Sequence, residues 1–183
     1  MHDLSSIERR AARIKLLLMD CDGVLTDGRL WLLGGDDEQK SFNVRDGFGL
    51  ALWHRAGLKS GVISGRNSSA LERRTRGLGI DYLRQGSEDK TRDFEELLQL
   101  AEVDENEVAF VGDDLNDIPL MLRSEFAVAV SDAAEETRAV SHLVTRAGGG
   151  SGAIREVVEF ILKAQGRWAE VTARYLKPAG SGQ

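Results

Sequence analysis

Three absences narrow the class of this 183-residue chain before any motif is considered. It has one cysteine, so no disulfide can form within the chain, and we expect a reducing compartment. No apolar run approaches the roughly 18 residues that a membrane-spanning helix needs, and we expect no signal peptide. An excess of positive charge is also absent: 24 Lys and Arg stand against 30 Asp and Glu, a net charge of −6, and no cluster of Lys and Arg occurs, which argues against nucleic acid as the main partner. We therefore expect a cytoplasmic globular protein.

Short apolar runs alternate with amphipathic stretches along most of the chain. This alternation is typical of βαβ units, so we predict an α/β, Rossmann-like fold with an open, mostly parallel sheet and helices on both faces. The predicted strands share a short apolar core and cover 15–19, 60–63, 81–83, 107–111, 126–130 and 142–145. The predicted helices are amphipathic and cover 47–56, 68–78, 88–101, 117–124, 133–140 and 153–165, the last extended by 167–175.

Residues 29–43 interrupt this alternation. Two β-prone arms flank the turn sequence GGDD at 34–37, which predicts a β-hairpin directly after the first strand. A lone hairpin is only marginally stable in water, and its apolar residues 30–33 favour packing on another subunit. The first few residues and the tail at 177–183 are predicted to be disordered, so we expect a single domain over 1–176.

The most informative stretch is LLLMDCDGVLTDG at 16–28. An apolar run delivers Asp20 and Asp22 to the point where a buried strand ends, with only Cys21 between them. Two carboxylates so close repel each other unless a cation lies between them or one carries a proton. Ligands also bind at the strand ends of open parallel sheets. The pattern therefore predicts a metal-assisted site in which one carboxylate is a nucleophile or ligand and the other an acid or base.

A second apolar strand is followed by three acids, Asp113, Asp114 and Asp117, within the sequence VAFVGDDLNDIP. Carboxylates clustered beyond a buried strand indicate a hard cation, and oxygen ligands of this kind suit Mg²⁺. Asp114 or Asp117 could instead cap the helix that follows.

Two further strand ends carry groups suited to an anion. Ser64 can donate a hydrogen bond, Gly65 allows close backbone approach, and Arg66 adds a charged donor. The plainer interpretation is a helix-capping serine beside a solvated arginine. Lys90 lies in the first turn of a predicted helix, where the helix dipole favours acids over cations. This placement indicates that Lys90 counters bound phosphate or the carboxylates, unless it pairs with an acid of its own helix.

Along the chain, these elements occur in the order DxD, Ser, Lys and DD. In this order they resemble the four motifs of the haloacid dehalogenase superfamily of phosphatases, and the resemblance covers nearly the whole chain. The resemblance implies a phosphoaspartyl mechanism. Asp20 would attack phosphorus, and Asp22 would protonate the leaving alcohol and then activate water. Ser64 and Lys90 would hold the phosphoryl oxygens.

The same resemblance implies a Mg²⁺ site. The Asp20 side chain, the Asp22 backbone carbonyl and Asp113 would hold the ion. Asp114 and Asp117 would orient these ligands from behind.

Segments 40–50, 61–67 and 148–166 are similar to the 3-deoxy-D-manno-octulosonate 8-phosphate (KDO 8-phosphate) phosphatases, minimally capped homotetramers of lipopolysaccharide precursor synthesis. Only the hairpin and one predicted helix separate the first motif from Ser64, which is too little for a cap domain. The resemblance implies that a neighbouring subunit helps to select the substrate. The glycine-rich segment and the helix after it would close over the site of an adjacent subunit.

The resemblance also implies a set of substrate-binding residues. Arginines would engage the sugar acid, because a guanidinium can grip a carboxylate through two hydrogen bonds, with small and acidic residues beside them. This set consists of Arg45, Asp46, Gly47, Gly65 and Arg66. The family pattern has an arginine in the glycine-rich stretch where this chain has Ser151, and Arg146 or Arg155 could replace it.

Other functions share parts of this pattern. A phosphatase of a nine-carbon sugar acid 9-phosphate has the same core, and a catalytically silent oligomerisation scaffold could retain it. A response-regulator receiver also uses a phosphorylated aspartate, but it places adjacent acids on the first strand, whereas this chain has Asp20 and Asp22 there. The residues present favour an active phosphatase with the eight-carbon substrate.

Overall fold

The computed structural model describes residues 4–32 and 38–176. The strands are short and are bounded as follows: β1 (Leu16–Met19), β2 (Trp31–Leu32), β3 (Glu38–Gln39), β4 (Lys59–Ile63), β5 (Tyr82–Arg84), β6 (Val108–Gly112), β7 (Phe126–Ala129) and β8 (Leu143–Val144). The helices are α1 (Leu4–Ala11), α2 (Val44–Arg55), α3 (Ser69–Leu78), α4 (Lys90–Ala101), α5 (Ile118–Arg123), α6 (Glu135–Val140), α7 (Ala153–Ala164) and α8 (Trp168–Leu176).

Six strands form one parallel sheet in the order β5-β4-β1-β6-β7-β8. β1 lies inside it, with Leu16 opposite both Lys59 of β4 and Val108 of β6. Every residue of β1 is buried because helices cover both faces of the sheet. Helices α1, α2, α7 and α8 pack together on one face, whereas α4, α5 and α6 cover the other. The α/β, Rossmann-like prediction is confirmed.

The order of the strands creates a switch point at β1. From β1 the chain moves to β4 and β5 on one side, and then crosses to β6, β7 and β8 on the other. In open α/β sheets, a crevice forms beyond the carboxyl ends of the strands at such a reversal. Asp20 follows β1 directly, Ser64 follows β4 and Asp113 follows β6, so the three residues lie at this crevice.

The interruption after β1 contains a two-stranded antiparallel hairpin, as predicted. Trp31 of β2 pairs with Gln39 of β3, and Leu32 pairs with Glu38. The predicted turn at 34–37 lies outside the described residues. Trp31 and Leu32 expose 63% and 77% of their surface, so this arm presents apolar side chains to solvent within the single chain.

The two ends of the chain differ from the sequence-based expectations. Helix α1 begins at Leu4, although the first few residues were expected to be disordered. Ile7 and Ala11 on its apolar side are buried. The apolar spacing at positions 4, 7 and 11 is the helical pattern that signals this element. The stretch 167–175 does not extend α7, because Gly166 breaks the helix with φ 69° and α8 begins anew. The tail at 177–183 lies outside the described residues.

Within the described part of the chain, no helix combines the length and the apolarity that a bilayer crossing requires.

His54 is a partly buried titratable group at the end of α2, away from the strand ends that carry the acids. Its Nε2 lies 2.7 Å from the Ser60 hydroxyl and 3.8 Å from an Asp81 carboxylate oxygen. Burial lowers the pKa of His54 below its usual 6.5, although Asp81 and the backbone of Leu78 raise it. The folded state therefore favours a neutral imidazole.

We expect the His54→Gln variant to lose part of the acid sensitivity of the wild type. Because the pKa of His54 is lower in the folded state, its contribution to stability is complete above pH 6.5 and is lost as the pH falls. Between about pH 7.5 and about pH 5.5, the free energy of unfolding should fall more for the wild type than for the variant. Urea denaturation followed by circular dichroism measures both. A difference between the two proteins that does not vary with pH contradicts this expectation.

Candidate active site

Three carboxylates converge at the carboxyl edge of the sheet. Asp20 follows β1, Asp113 follows β6, and Asp117 lies in the turn before α5. One carboxylate oxygen from each lies within 4.8 Å of the others. Asp20 and Asp117 are buried, and Asp113 is half-buried. The two acidic motifs therefore share one site, as the sequence predicted.

Lys90 is the cation of this cluster. It opens α4, and its buried ammonium lies 2.7 Å from Asp117 Oδ1 and 3.1 Å from Asp20 Oδ1. Burial alone lowers the pKa of Lys90, but the charges of Asp117 and Asp20 outweigh that effect and raise it. The unfavourable placement of a lysine in the first helical turn thus has a physical reason. The alternative of a pair within its own helix is not what the structure shows.

The acids of the cluster perturb one another. Burial and the charge of Asp117 raise the pKa of Asp20 to about 6, although Lys90 lowers it. Burial, Asp117, Asp20 and Asp114 together raise the pKa of Asp113 to about 7. One ammonium does not balance these carboxylates, so the site favours an additional cation.

The hydrogen bonds distinguish the carboxylates that could bind a metal ion from the one that is already occupied by protein donors. Both oxygens of Asp117 are engaged, Oδ1 by Lys90 and Oδ2 by the backbone N–H of Asp113 at 3.0 Å. Asp113 Oδ1, in contrast, is buried without a hydrogen-bond partner among the described residues. A divalent cation would satisfy this oxygen, and hard oxygen ligands are what Mg²⁺ prefers. The donor set therefore fits Mg²⁺: Asp20 and Asp113 could hold the ion, while Asp117 is occupied by Lys90 and the Asp113 backbone.

Asp114 behaves differently from its neighbours. It is exposed, and its carboxylate accepts a hydrogen bond of 2.8 Å from the backbone N–H of Leu115, at the start of a short 3₁₀ turn. This is the capping role that the sequence left open for it.

The loop after β1 makes room for Asp113. Gly23 has φ 94°, which side chains rarely adopt, and a Cβ there would collide with the Asp113 carboxylate. Gly149 closes the other side of the loop, since a Cβ on it would overlap the carbonyl of Gly23. The Gly150 N–H donates to the Val24 carbonyl at 2.9 Å. The glycine-rich segment thus packs on the loop of its own chain, and its contact with an adjacent subunit stays a prediction.

Asp22 lies in a second charged network that the sequence analysis did not foresee. The fully buried side chain of Lys40, just after β3, donates to Asp22 Oδ1 and lies 3.1 Å from Glu38 Oε1. Arg66 donates to Glu38 Oε2 at 2.8 Å, and its Nε lies 3.9 Å from Asp22 Oδ2. No spacing rule links these positions, because a hairpin of unknown register separates Asp22 from Lys40 in the sequence.

Glu38 and Lys40 are both charged at neutral pH. Burial raises the pKa of Glu38, but hydrogen bonds from Arg66 and Lys40 outweigh it and lower the pKa to about 2. Burial lowers the pKa of Lys40, yet its hydrogen bonds with Asp22 and Glu38 raise it above its usual value. Lys40 and Arg66 therefore face Glu38 and Asp22 beside the loop after β1.

The strand end at β4 offers a hydroxyl. Ser64 is buried, and its hydroxyl lies 3.3 Å from both the N–H and the carbonyl oxygen of Arg66. Ser68, not Ser64, caps α3, so the plainer capping interpretation of Ser64 does not hold. A Cβ on Gly65 would meet nothing closer than the Ser87 carbonyl at 3.7 Å, which leaves open space beside Ser64.

The remaining substrate-binding candidates have contacts of another kind. Asp46 is 2% exposed and accepts hydrogen bonds from the backbone N–H groups of Gly152 and Arg155 at the start of α7. Gly47 admits the Arg74 guanidinium, which a Cβ would meet at 2.6 Å. These contacts join α2 to its neighbours and assign both residues a role in the fold.

Arg45 faces a surface cavity of about 530 Å³. Ser151, Arg155 and Arg146 also line this cavity. Ser151, where the resemblance implies an arginine, therefore lines the same cavity as three arginines.

Comparison with known proteins gives a consistent result. A family model described as haloacid dehalogenase-like hydrolase matches residues 54–154, just over half of the chain. A 3-deoxy-D-manno-octulosonate 8-phosphate phosphatase of Yersinia pestis is 43% identical over 157 residues, which cover 86% of this chain and 84% of that protein. The phosphatase of the same name from Escherichia coli K12 is 40% identical over 161 residues, covering 88% of this chain and 86% of that protein.

A solved structure extends the similarity to three dimensions. It is the 3-deoxy-D-manno-octulosonate 8-phosphate phosphatase of Moraxella catarrhalis in complex with a magnesium ion, a phosphate ion and a KDO molecule. It superposes with a TM-score of 0.91 at 37% sequence identity, and the match covers 94% of this chain and 99% of that chain.

We expect Asp113→Asn to have opposite effects on stability without and with Mg²⁺. Without the ion, the substitution relieves carboxylate repulsion, so the melting temperature should rise. With the ion at about 100 times its Kd, the wild type should gain about 2.7 kcal/mol, or roughly 5–10 °C, and the variant much less. Differential scanning fluorimetry in EDTA and in MgCl₂ measures both. Asp104→Asn, in an exposed turn, is the control and should respond to Mg²⁺ like the wild type. An unchanged Mg²⁺ response in Asp113→Asn excludes this carboxylate as a ligand.

Proposed function

We propose a residue-level mechanism from the premise that the chain belongs to the haloacid dehalogenase-like hydrolases, in the branch of the 3-deoxy-D-manno-octulosonate 8-phosphate phosphatases. The protein is a Mg²⁺-dependent phosphoric monoester hydrolase that converts KDO 8-phosphate into the free sugar acid and phosphate through an aspartyl-phosphate intermediate. The observation that carries the assignment to residues is the convergence of Asp20, Asp113 and Lys90 at one sheet edge.

Asp20 is the proposed nucleophile. Its carboxylate oxygen forms a bond to phosphorus while the bond from phosphorus to the sugar oxygen breaks. Asp22 gives its proton to the departing sugar oxygen, and then, as a carboxylate, takes a proton from the water that attacks the aspartyl phosphate. Inorganic phosphate leaves and Asp20 is regenerated.

Lys90 and Ser64 hold the phosphoryl group in this proposal. The ammonium of Lys90 already lies 3.1 Å from Asp20, so it can balance the charge on phosphoryl oxygens next to the nucleophile. The buried hydroxyl of Ser64 follows the neighbouring strand β4 and can donate to another of these oxygens. Asp117 keeps Lys90 in place through its hydrogen bond of 2.7 Å.

Mg²⁺ would be held by the side chains of Asp20 and Asp113 and by the backbone carbonyl of Asp22. The Asp117 carboxylate accepts a hydrogen bond from the backbone N–H of Asp113 and so orients Asp113. Asp114 supports the same turn by accepting a hydrogen bond from the backbone N–H of Leu115. The ion supplies positive charge that neutralises the transferring phosphoryl group.

The sugar acid is proposed to bind between the hairpin and the strand ends. Arg66 lies beside Asp22 and can offer a guanidinium to the substrate carboxylate. Arg45 is a second candidate, at the cavity that it shares with Ser151. We propose that Asp46 and Gly47 act by holding the first turn of α2, while Gly65 keeps the approach to Ser64 open.

The proposed working unit is a cytoplasmic homotetramer of single domains spanning 1–176, in lipopolysaccharide precursor synthesis. The hairpin takes the place of a cap domain, and its exposed Trp31 and Leu32 meet another subunit. Within its own chain, the glycine-rich segment at 148–150 packs on the loop after β1. In the proposed assembly, it also reaches toward the site of the adjacent subunit. Neither nucleic acid nor a membrane is a proposed partner.

The first test compares substrates. With Mg²⁺, purified protein should release phosphate from KDO 8-phosphate faster than from a nine-carbon sugar acid 9-phosphate. EDTA should abolish the activity, and Asp20→Asn should lower kcat by about 10³-fold or more while keeping the circular dichroism spectrum. Faster hydrolysis of the nine-carbon ester overturns the choice of substrate. Activity retained in Asp20→Asn overturns the choice of nucleophile.

The second test concerns assembly. Replacing Leu32 with Asp places a charge on the apolar arm of the hairpin, so the variant should elute from size-exclusion chromatography as a smaller species than the wild type. Leu100→Asp, on a different exposed apolar side chain in α4, is the matched control and should leave the elution unchanged. A wild type that light scattering shows to be monomeric contradicts the proposed tetramer.

A further inference from the structure

We propose that Lys40 is a positioning residue for Asp22, and that through it the hairpin stem controls proton donation to the leaving group. This inference rests on the proposed role of Asp22 in the reaction. The carrying observation is that the side chain of Lys40 is fully buried yet ends on Asp22 Oδ1 and Glu38 Oε1.

The buried ammonium of Lys40 is held in place by its contacts with Asp22 and Glu38. A buried ammonium is tolerated only when carboxylates and hydrogen bonds compensate for the lost water, and here Asp22 and Glu38 do so. Glu38 in turn is held by Arg66 at 2.8 Å. The side chains of Lys40, Arg66, Asp22 and Glu38 therefore form one cluster beside the loop after β1.

The consequence for Asp22 is a fixed orientation. Asp22 follows Asp20 by two residues in the loop after β1, and the Lys40 ammonium donates a hydrogen bond to its carboxyl group. Lys40 engages Oδ1, while the nearest guanidinium nitrogen of Arg66 stays 3.9 Å from Oδ2, beyond hydrogen-bond distance. Oδ2 is therefore the oxygen assigned to exchange a proton with the substrate, and Lys40 determines where it lies.

This role differs from that of Lys90. Lys90 contacts Asp20 and Asp117, on the side of the phosphoryl group. Lys40 contacts Asp22 alone among these acids, on the side of the leaving group. The two lysines divide the site, so removing Lys40 should impair only steps in which Asp22 moves a proton.

Leaving-group dependence makes this role measurable. Departure of a sugar alkoxide needs a proton, whereas 4-nitrophenolate leaves readily without one. Because kcat/KM covers only the steps up to release of the alcohol, it excludes hydrolysis of the aspartyl phosphate. For Lys40→Met, kcat/KM should fall about 10²-fold with KDO 8-phosphate and less than about threefold with 4-nitrophenyl phosphate. Activity on the nitrophenyl ester also shows that the variant is folded.

A double-mutant cycle tests whether Lys40 acts through Asp22. Asp22→Asn should show the same dependence on the leaving group, and adding Lys40→Met to it should cause little further loss. Lys40→Arg should restore part of the activity on KDO 8-phosphate. Lys15→Met is the matched control, because Lys15 also pairs with a carboxylate, Glu107, but lies exposed at the other end of β1. It should leave both activities unchanged.

The outcomes are distinguishable from failure of the proposed function. A wild type inactive on both esters refutes the phosphatase mechanism itself. With an active wild type, equal losses on both esters in Lys40→Met, or losses that add fully to those of Asp22→Asn, refute the positioning role.

Discussion

The site depends on the repulsion among carboxylates that the fold forces together. One carboxylate oxygen from each of Asp20, Asp113 and Asp117 lies within 4.8 Å of the others. Among the described residues, the Lys90 ammonium is the cation that contacts two of these acids, Asp20 and Asp117. Burial and the charges of Asp117 and Asp20 raise the pKa of Asp113 to about 7, so the surrounding core holds these acids in an unfavourable state. A divalent cation relieves that repulsion. The stored repulsion is thus the physical origin of metal affinity, and the buried strands β1 and β6 supply the rigidity that sustains it.

The sheet topology accounts for why these residues meet. Asp20 and Asp113 are far apart in sequence but follow adjacent parallel strands, and the chain reverses its direction across the sheet at β1. Gly23 and Gly149 then let the loop after β1 approach the Asp113 carboxylate without steric conflict. A side chain at either glycine would push the loop outward. The same crevice that admits a ligand is therefore kept narrow enough for the acids to share one ion.

Much of this was predictable from the sequence, and the limits have physical causes. The strands and the convergence of Asp20 with Asp113 follow from apolar runs ending in acids, a signal that burial makes strong. Lys90 stood out because it opposes the helix dipole. Lys40 and Glu38 gave no such signal, because their contacts depend on the register of a short hairpin. The contacts of Asp46 with α7 are equally invisible, since they depend on how α2 and α7 pack.

The hairpin contributes both to the site and to the exposed surface. Its β3 side leads into Lys40, whose buried ammonium touches Asp22, while its β2 side exposes Trp31 and Leu32. Strands of two residues each contribute little stability by themselves. Covering the apolar arm in an assembly would therefore stabilise the stem, and with it the position of Lys40. On the proposed roles of Asp22 and of the hairpin, proton donation and association of the subunits would depend on the same short element. A loss of assembly would then affect Asp22 before it affects the acids around Lys90.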